Sequence, residues 1–383
     1  MRNRKSAIGN RKSGVTLVEL MVTMGVVAIL MLGGVGVYFR MNRGFALQAA
    51  TSSIESALRA ARHTAVYERS PAVVVAVPHP EEPAQVGAVY ALGRQTLSNW
   101  HFEHPSQFTG DGVLGALGQK ALLKGGTLAH APGRIGTALA LDGNTRLEAT
   151  TPYLDGLRDG VFVECFVNPQ AASDGVVMAV ASREAGGAAQ FWLGLVAAPG
   201  GRAFAVRGRA SLAGGATLPE ITTEPLVPAG EWTHLALSCY RDGPSGTDSD
   251  RFVLALDING EEGAKELVQG ANLSLAPSTA ALNIGSDGSA NFSGLLDELK
   301  VAGLVAGETR VMPRNTEVFF EPKSAGPWRV HFDREGKLDP THHPTGKAVS
   351  FRTTSTEDRL LRVVRVNRLG AIEVFQGEPP AED

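Results

Sequence analysis

The feature that most constrains this chain is an apolar run from Val15 to Phe39, preceded by a basic stretch and interrupted by one acid, Glu19. Coiled as a helix, such a run spans about 37 Å, enough to cross a hydrocarbon core of about 30 Å. Residues 1–13 carry Arg2, Arg4, Lys5, Arg11 and Lys12 and no acid. This positive flank is expected to stay on the cytoplasmic side, with everything after Phe39 facing outward. A carboxylate at the bilayer centre costs roughly 2.5–3.5 kcal/mol on insertion scales. Glu19 therefore has to be explained.

Three readings compete for this segment. A secretory signal peptide expects a short apolar core and a small-residue cut after it. Here the core is too long and no such cut follows. A plain signal anchor accounts for the length but not for Glu19. The third reading is a signal cut before the apolar run. The residues Gly14-Val15-Thr16-Leu17-Val18-Glu19-Leu20 resemble the processing site of type IV prepilins and type II secretion pseudopilins, where a basic leader ends in Gly and Phe-Thr-Leu-x-Glu usually follows. Val15 stands where that family most often has Phe.

The resemblance implies cleavage between Gly14 and Val15 by a prepilin peptidase, then N-methylation of Val15. In the family the matching Glu pairs with the N-terminal amine of a neighbouring subunit. Glu19 would be its counterpart here, costly in a lone protomer and compensated in a filament, since a buried ion pair is worth keeping only with both partners present. A snorkelling or interfacial acid is the bland alternative. The implied partners are prepilin peptidase, other pilin or pseudopilin subunits and the inner membrane.

Beyond the apolar run, Leu47, Ala50, Ile54, Leu58, Ala61 and Ala65 recur at spacings of three and four, one face of a helix. Glu55 and Arg59 sit at i,i+4 on another face. No strong breaker intervenes before Ser70-Pro71, although Gly44 could bend the rod. One helix is expected over 15–69, after a leader at 1–14. "AVVVAVP" and "GAVYALGRQ" then read as strands. The joint "LRAARHTAVYERSPAVVVAV" resembles the helix-to-strand passage of the H-type minor pseudopilins. The short β-rich runs after residue 310, ending in a hairpin with Gly370 in its turn, resemble their last strands. The expectation is a split pseudopilin β domain at 70–95 and 310–383.

Residues 96–305 are too long for a loop. Their short apolar runs between turns have the cadence of a β-sandwich. "GRIGTALALDGN" and "GLLDELKV", in that order, resemble the start and end of laminin-G-like, concanavalin A-like modules. The matching positions are Gly133, Gly136, Ala138, Leu139, Asp142 and Gly143, then Gly294, Leu296, Asp297 and Glu298. The whole is expected to be α+β: a long transmembrane and amphipathic helix on a small antiparallel sheet, interrupted by an all-β jelly-roll sandwich.

Few candidates for chemistry stand out. There is no Gly-x-Ser-x-Gly, His-Glu-x-x-His or P-loop, so a non-enzymatic subunit is expected. No cofactor is expected, with calcium left open through loop oxygens at Asp242–Asp250 and Asp287-Gly288, where ordinary turn chemistry is preferred. Asp297 and Glu298 should point to opposite faces of their strand, Asp297 bonding a nearby loop. Adjacent His342 and His343 fall in a loop. Trp232 and Trp192 are expected in the core rather than as sugar platforms. Trp100 is expected just before the first strand of the sandwich. Cys165 and Cys239 read as buried thiols, with a disulfide left open. The net charge of -3 argues against nucleic acid as a partner. A glycan or protein ligand of the sandwich remains open, as does the choice between an inner-membrane pseudopilus and a type IV pilus.

Overall fold

The computed structural model describes residues 17–150, 154–215, 218–242, 250–270, 273–322, 327–340, 342–344, 346–356 and 360–380, with backbone alone for 32–43 and 250. One unbroken helix, α1, runs Leu17–Tyr67 and continues past Gly44. The face read from the sequence is the buried one: Leu47 is 3% exposed, and Ala50, Ile54, Leu58, Ala61 and Ala65 are 0%. On the exposed face Glu55 and Arg59 form their i,i+4 pair at 2.8 Å. The helix stops where Arg69 takes φ +48 and the Ser70 amide donates to the Ala65 carbonyl, a 6→1 closure that Pro71 makes final. Its first turns are uncovered: Leu17, Ile29 and Leu30 are 76%, 70% and 69% exposed. Among the described residues no helix is long and apolar enough to cross a membrane. The expected span begins at Val15, outside those residues, and includes 32–39, whose side chains are not described.

Among the described residues three antiparallel sheets follow. The largest runs, in spatial order, Glu261–Gly270, Asp250–Ile258, Thr233–Arg241, Gly160–Pro169, Ser293–Ala306, Val86–Trp100, Ala72–Pro78 and Trp328–Phe332. Its pivot is Val86–Trp100, which pairs over its first half with Ala72–Pro78 and from Leu92 to Trp100 with Ser293–Ala306. The expected division between 95 and 96 thus lies inside one continuous strand. A second sheet is built around Ala203–Ala210, Ala188–Ala197, Val177–Ala185, Leu282–Ile284 and Arg146–Ala149. The third consists of Thr316–Glu321, Val349–Ser355, Leu361–Val366 and Ile372–Gln376, the last two forming the expected hairpin with Gly370 at φ 75.

Two main cores result. The larger fills the space between the first two sheets, with Trp100, Phe191, Phe204, Phe252 and Phe292 among its members. The smaller joins α1 to Val74, Val89, Val330, Phe332, Phe351 and Val364, so the helix is packed by both the large sheet and the third one. Cys165 and Cys239 are free and buried. They lie on neighbouring strands but face Leu235 and Val161 respectively, four residues out of register, or roughly 13 Å apart. No disulfide can form across that offset, and burial pushes both thiol pKa values up.

Candidate functional site

The two ends of the molecule supply different candidate surfaces. At the N-terminal end, Gly14 and Val15 lie outside the described residues. Glu19 occupies the first turn of α1, exposed among exposed Leu17, Val18, Leu20 and Met21. Thr23, one turn on, donates its hydroxyl to the Glu19 carbonyl at 2.8 Å, so the polar Thr is satisfied within the helix itself.

On the sandwich, the outward face of the second sheet carries a polar row. Register places Arg209 beside Trp192, Trp192 beside Ser182, Ser182 beside Asn283, and Asn283 beside Glu148. Their strand neighbours Phe191 and Leu193 point inward to the core, as alternation requires. Trp192 is buried, but outside that core. Its indole lies against Gly194, where an added Cβ would meet the ring at 2.3 Å. The indole N–H donates to Asp287 Oδ2 at 2.7 Å, and the Arg209 guanidinium sits 4.8 Å over the ring. Asp287 Oδ1 also accepts from the Ser289 and Ala290 amides. Burial raises the Asp287 pKa, but these bonds outweigh it and leave it lowered. Beside this row opens a cleft of about 300 Å³ lined by Arg146, Glu148, Glu184, Asn283, Ser286 and Asp287, charged groups of both signs around a few amide and hydroxyl donors.

The glycine-rich motifs have mechanical roles. Asp142 Oδ1 accepts from the Asn144 and Thr145 amides at 2.9 and 2.8 Å, and Gly143 takes φ 83 to close that turn. Asp297 is fully buried and bonds the nearby loop as expected, accepting from the Arg134 and Ile135 amides at 3.0 and 3.3 Å. Gly133 leaves room for it, since a Cβ there would lie 2.8 Å from Asp297 Oδ2. Burial nevertheless raises the Asp297 pKa, with the amide bonds opposing.

Comparison with known families fits both ends. Residues 9–35 match the prokaryotic N-terminal methylation motif, and residues 141–311 match the concanavalin A-like lectin/glucanases superfamily. This chain joins a prepilin-type N-terminus to a concanavalin A-like domain. No curated protein matches it. Among solved structures, it is similar to domain 4 of AbnA, a GH43 extracellular arabinanase from Geobacillus stearothermophilus, at 20% identity over 55% of this chain and 93% of that one, with a TM-score of 0.38. The carbohydrate esterase vb_24B_21 from the Shiga toxin-encoding bacteriophage phi24B is 14% identical over 56% of this chain and all of that one, with a TM-score of 0.36. The alginate lyase Aly36B is 12% identical over 56% and 98%, with a TM-score of 0.32.

Within the concanavalin A-like domain several sequence expectations need adjusting. Trp232 stands one residue before its strand, half-buried and outside the core. Trp100 stands not ahead of a strand but at the end of the pivot strand, fully buried in the core. Most of the Asp242–Asp250 loop lies outside the described residues. Asp242 itself accepts from His342 at 2.9 Å, and His342 is also bound at 2.9 Å to Asp339. The His331 ring stacks on His342 with centroids 3.8 Å apart. Sequence reading noted Asp242, His342 and His343 but could not pair Asp242 with His342, a hundred positions away. It likewise passed over His101, which lies 2.6 Å from Glu298.

Proposed function

We propose that this chain is a minor or tip subunit of a type II secretion pseudopilus or type IV pilus, with the concanavalin A-like domain as its displayed bulk. In this reading a prepilin peptidase cuts between Gly14 and Val15 and the new N-terminus of Val15 is methylated. The segment through Phe39 then holds the protein in the inner membrane with its bulk in the periplasm, until Glu19 pairs with the amine of a neighbouring subunit. The observation that carries the reading is an acid in the first helical turn of an uncovered apolar stretch, Leu17–Met31, within the segment that matches the methylation motif. An uncovered apolar helix of this kind calls for lipid or for neighbouring helices. A sandwich of about half the chain hinders close repeats along a filament, which favours a minor or terminal position. The test is incorporation into filaments. Glu19→Ala should leave the folded domain intact and sharply reduce incorporation; undiminished incorporation contradicts the role given to Glu19.

A second reading, an adhesin in which the helix is only an anchor, draws on the polar row and cleft beside Trp192. Its ligand would be a glycan or a protein, held by Arg146, Glu148 and Asn283. Binding on a glycan array that Asn283→Ala abolishes supports it, and an array without binding, with and without calcium, counts against it.

A further inference from the structure

The pivot strand leaves the helix-packed half of the large sheet and ends at Trp100, where the sandwich begins. Directly after it the chain turns through Phe102 at φ 58, which sets His101 and Glu103 side by side. Opposite them, the register of Ser293–Ala306 slips between Asp297 and Lys300, and Glu298 takes φ 52. The buried pattern slips there, with Leu296 and Asp297 both buried, while Asp297 and Glu298 keep separate partners, the 134–135 loop and the His101 ring. The bulge aims the Glu298 carboxylate at His101. One nitrogen of His101 and one oxygen each of Glu103 and Glu298 lie within 4.8 Å of one another. His101 and Glu298 are 36% and 20% exposed at the side chain, open enough for an ion to enter.

We infer that His101, Glu103 and Glu298 form a binding site for a divalent transition-metal cation of the zinc type, clamping the entry strand of the sandwich to its closing strand. A neutral imidazole and two carboxylates carry a charge of −2, which a divalent cation neutralises. Zinc commonly takes His and carboxylate donors at about 2.0–2.2 Å. The present spacing needs only modest side-chain rotation to converge on such a centre. Calcium prefers six to eight oxygens, so the imidazole selects against it. Carboxylates crowd the position: after burial, the charges of Asp297 and Glu103 raise the Glu298 pKa, opposed by His101. A second observation lies behind the imidazole. The Asn99 side-chain nitrogen is 3.1 Å from His101 Nε2, while Asn99 Oδ1 is buried without a partner. Turning that amide over lets Oδ1 accept from Nε2–H and moves Nδ2 into the buried position that Oδ1 leaves. It also leaves the Nδ1 lone pair facing the two carboxylates, the arrangement in which a metal-bound histidine is usually held. An imidazolium paired with Glu298 would satisfy Asn99 as well, so the experiment has to separate the two.

The test is zinc titration by calorimetry on the purified, chelator-treated full chain, with thermal melting alongside. One zinc per chain should bind and raise the melting temperature. His101→Asn and Glu298→Gln should each weaken binding at least about tenfold, and so should Glu103→Gln at an exposed position that leaves folding untouched. His342→Ala, in the separate histidine cluster, should bind zinc as the parent does. Zinc affinity unchanged in Glu103→Gln and His101→Asn overturns the site. So does a calcium response equal to that of zinc, or an absence of zinc binding.

Discussion

The two halves of the strand Val86–Trp100 are covered in opposite ways. On the helix side small residues predominate around two large ones, Ile54 and Leu58. α1 presents Ala50, Ala57, Ala61 and Ala65 to the smaller core, and an added Cβ at Gly93 would lie 2.7 Å from the Thr64 methyl. On the sandwich side the same strand ends in Trp100, within a core of large rings that includes Phe102, Phe191 and Phe252. A helix can approach a sheet closely only where side chains are short, whereas two facing sheets about 10 Å apart need long ones to meet. The helix-packed half should therefore be intolerant of added volume, and the sandwich intolerant of lost volume.

The sharpest break in that contrast comes from truncation in the sandwich. Phe252→Ala should cost about 3–5 kcal/mol, read as a lowered denaturation midpoint of the purified chain. Next is the buried hub of the closing strand. Asp297→Ala leaves the Arg134 and Ile135 amides without their acceptor and should cost about 3 kcal/mol, with the loop at 133–136 losing hydrogen-exchange protection first. The helix side answers in the other direction: Ala61→Leu should cost about 2 kcal/mol through overpacking, although it adds apolar surface. A milder response of Phe252→Ala than of Ala61→Leu would undo the comparison.

The smallest expected effect lies where the C-terminal segment meets the sandwich. The hydrogen bond to Asp242, together with that to Asp339, raises the His342 pKa. Its contribution to stability is therefore full below about pH 6.5, the ordinary histidine value, and is lost as pH rises through the raised value. Burial pushes His331 the other way, well below its ordinary value. The contribution of its neutral form is present above about pH 6.5 and is lost as pH falls through the lowered value. Measured as melting temperature against pH, His342→Ala should remove the alkaline loss and lessen the acid one, because the charge of His342 is, after burial, the next cause of the His331 shift.

How much of this was legible in the sequence depends on range. The buried face of α1 could be read because its contacts repeat every three or four residues, and its end because Pro71 cannot continue a helix. The loop role of Asp297 was legible from its place in a Gly-Leu-Leu-Asp-Glu strand. The continuity of Val86–Trp100 between the two cores was not, because a change of packing partner along one strand leaves no break in its apolar pattern. Trp192 reads as core from its place in an apolar run, yet alternation with Phe191 and Leu193 sets it on the outer face, where Arg209 and Asp287 bury it. The His101–Glu298 pair is formed across 197 positions, and its geometry depends on a bulge that residue types do not announce.

The central claim is that the apolar helix belongs to a processed subunit and is not a plain anchor. Mass spectrometry of the N-terminal peptide from the membrane-extracted protein tests it most directly. The account predicts a chain that begins at Val15 with one added methyl group on its amine. A chain that retains Met1–Gly14, or one cut after the apolar run, would contradict it.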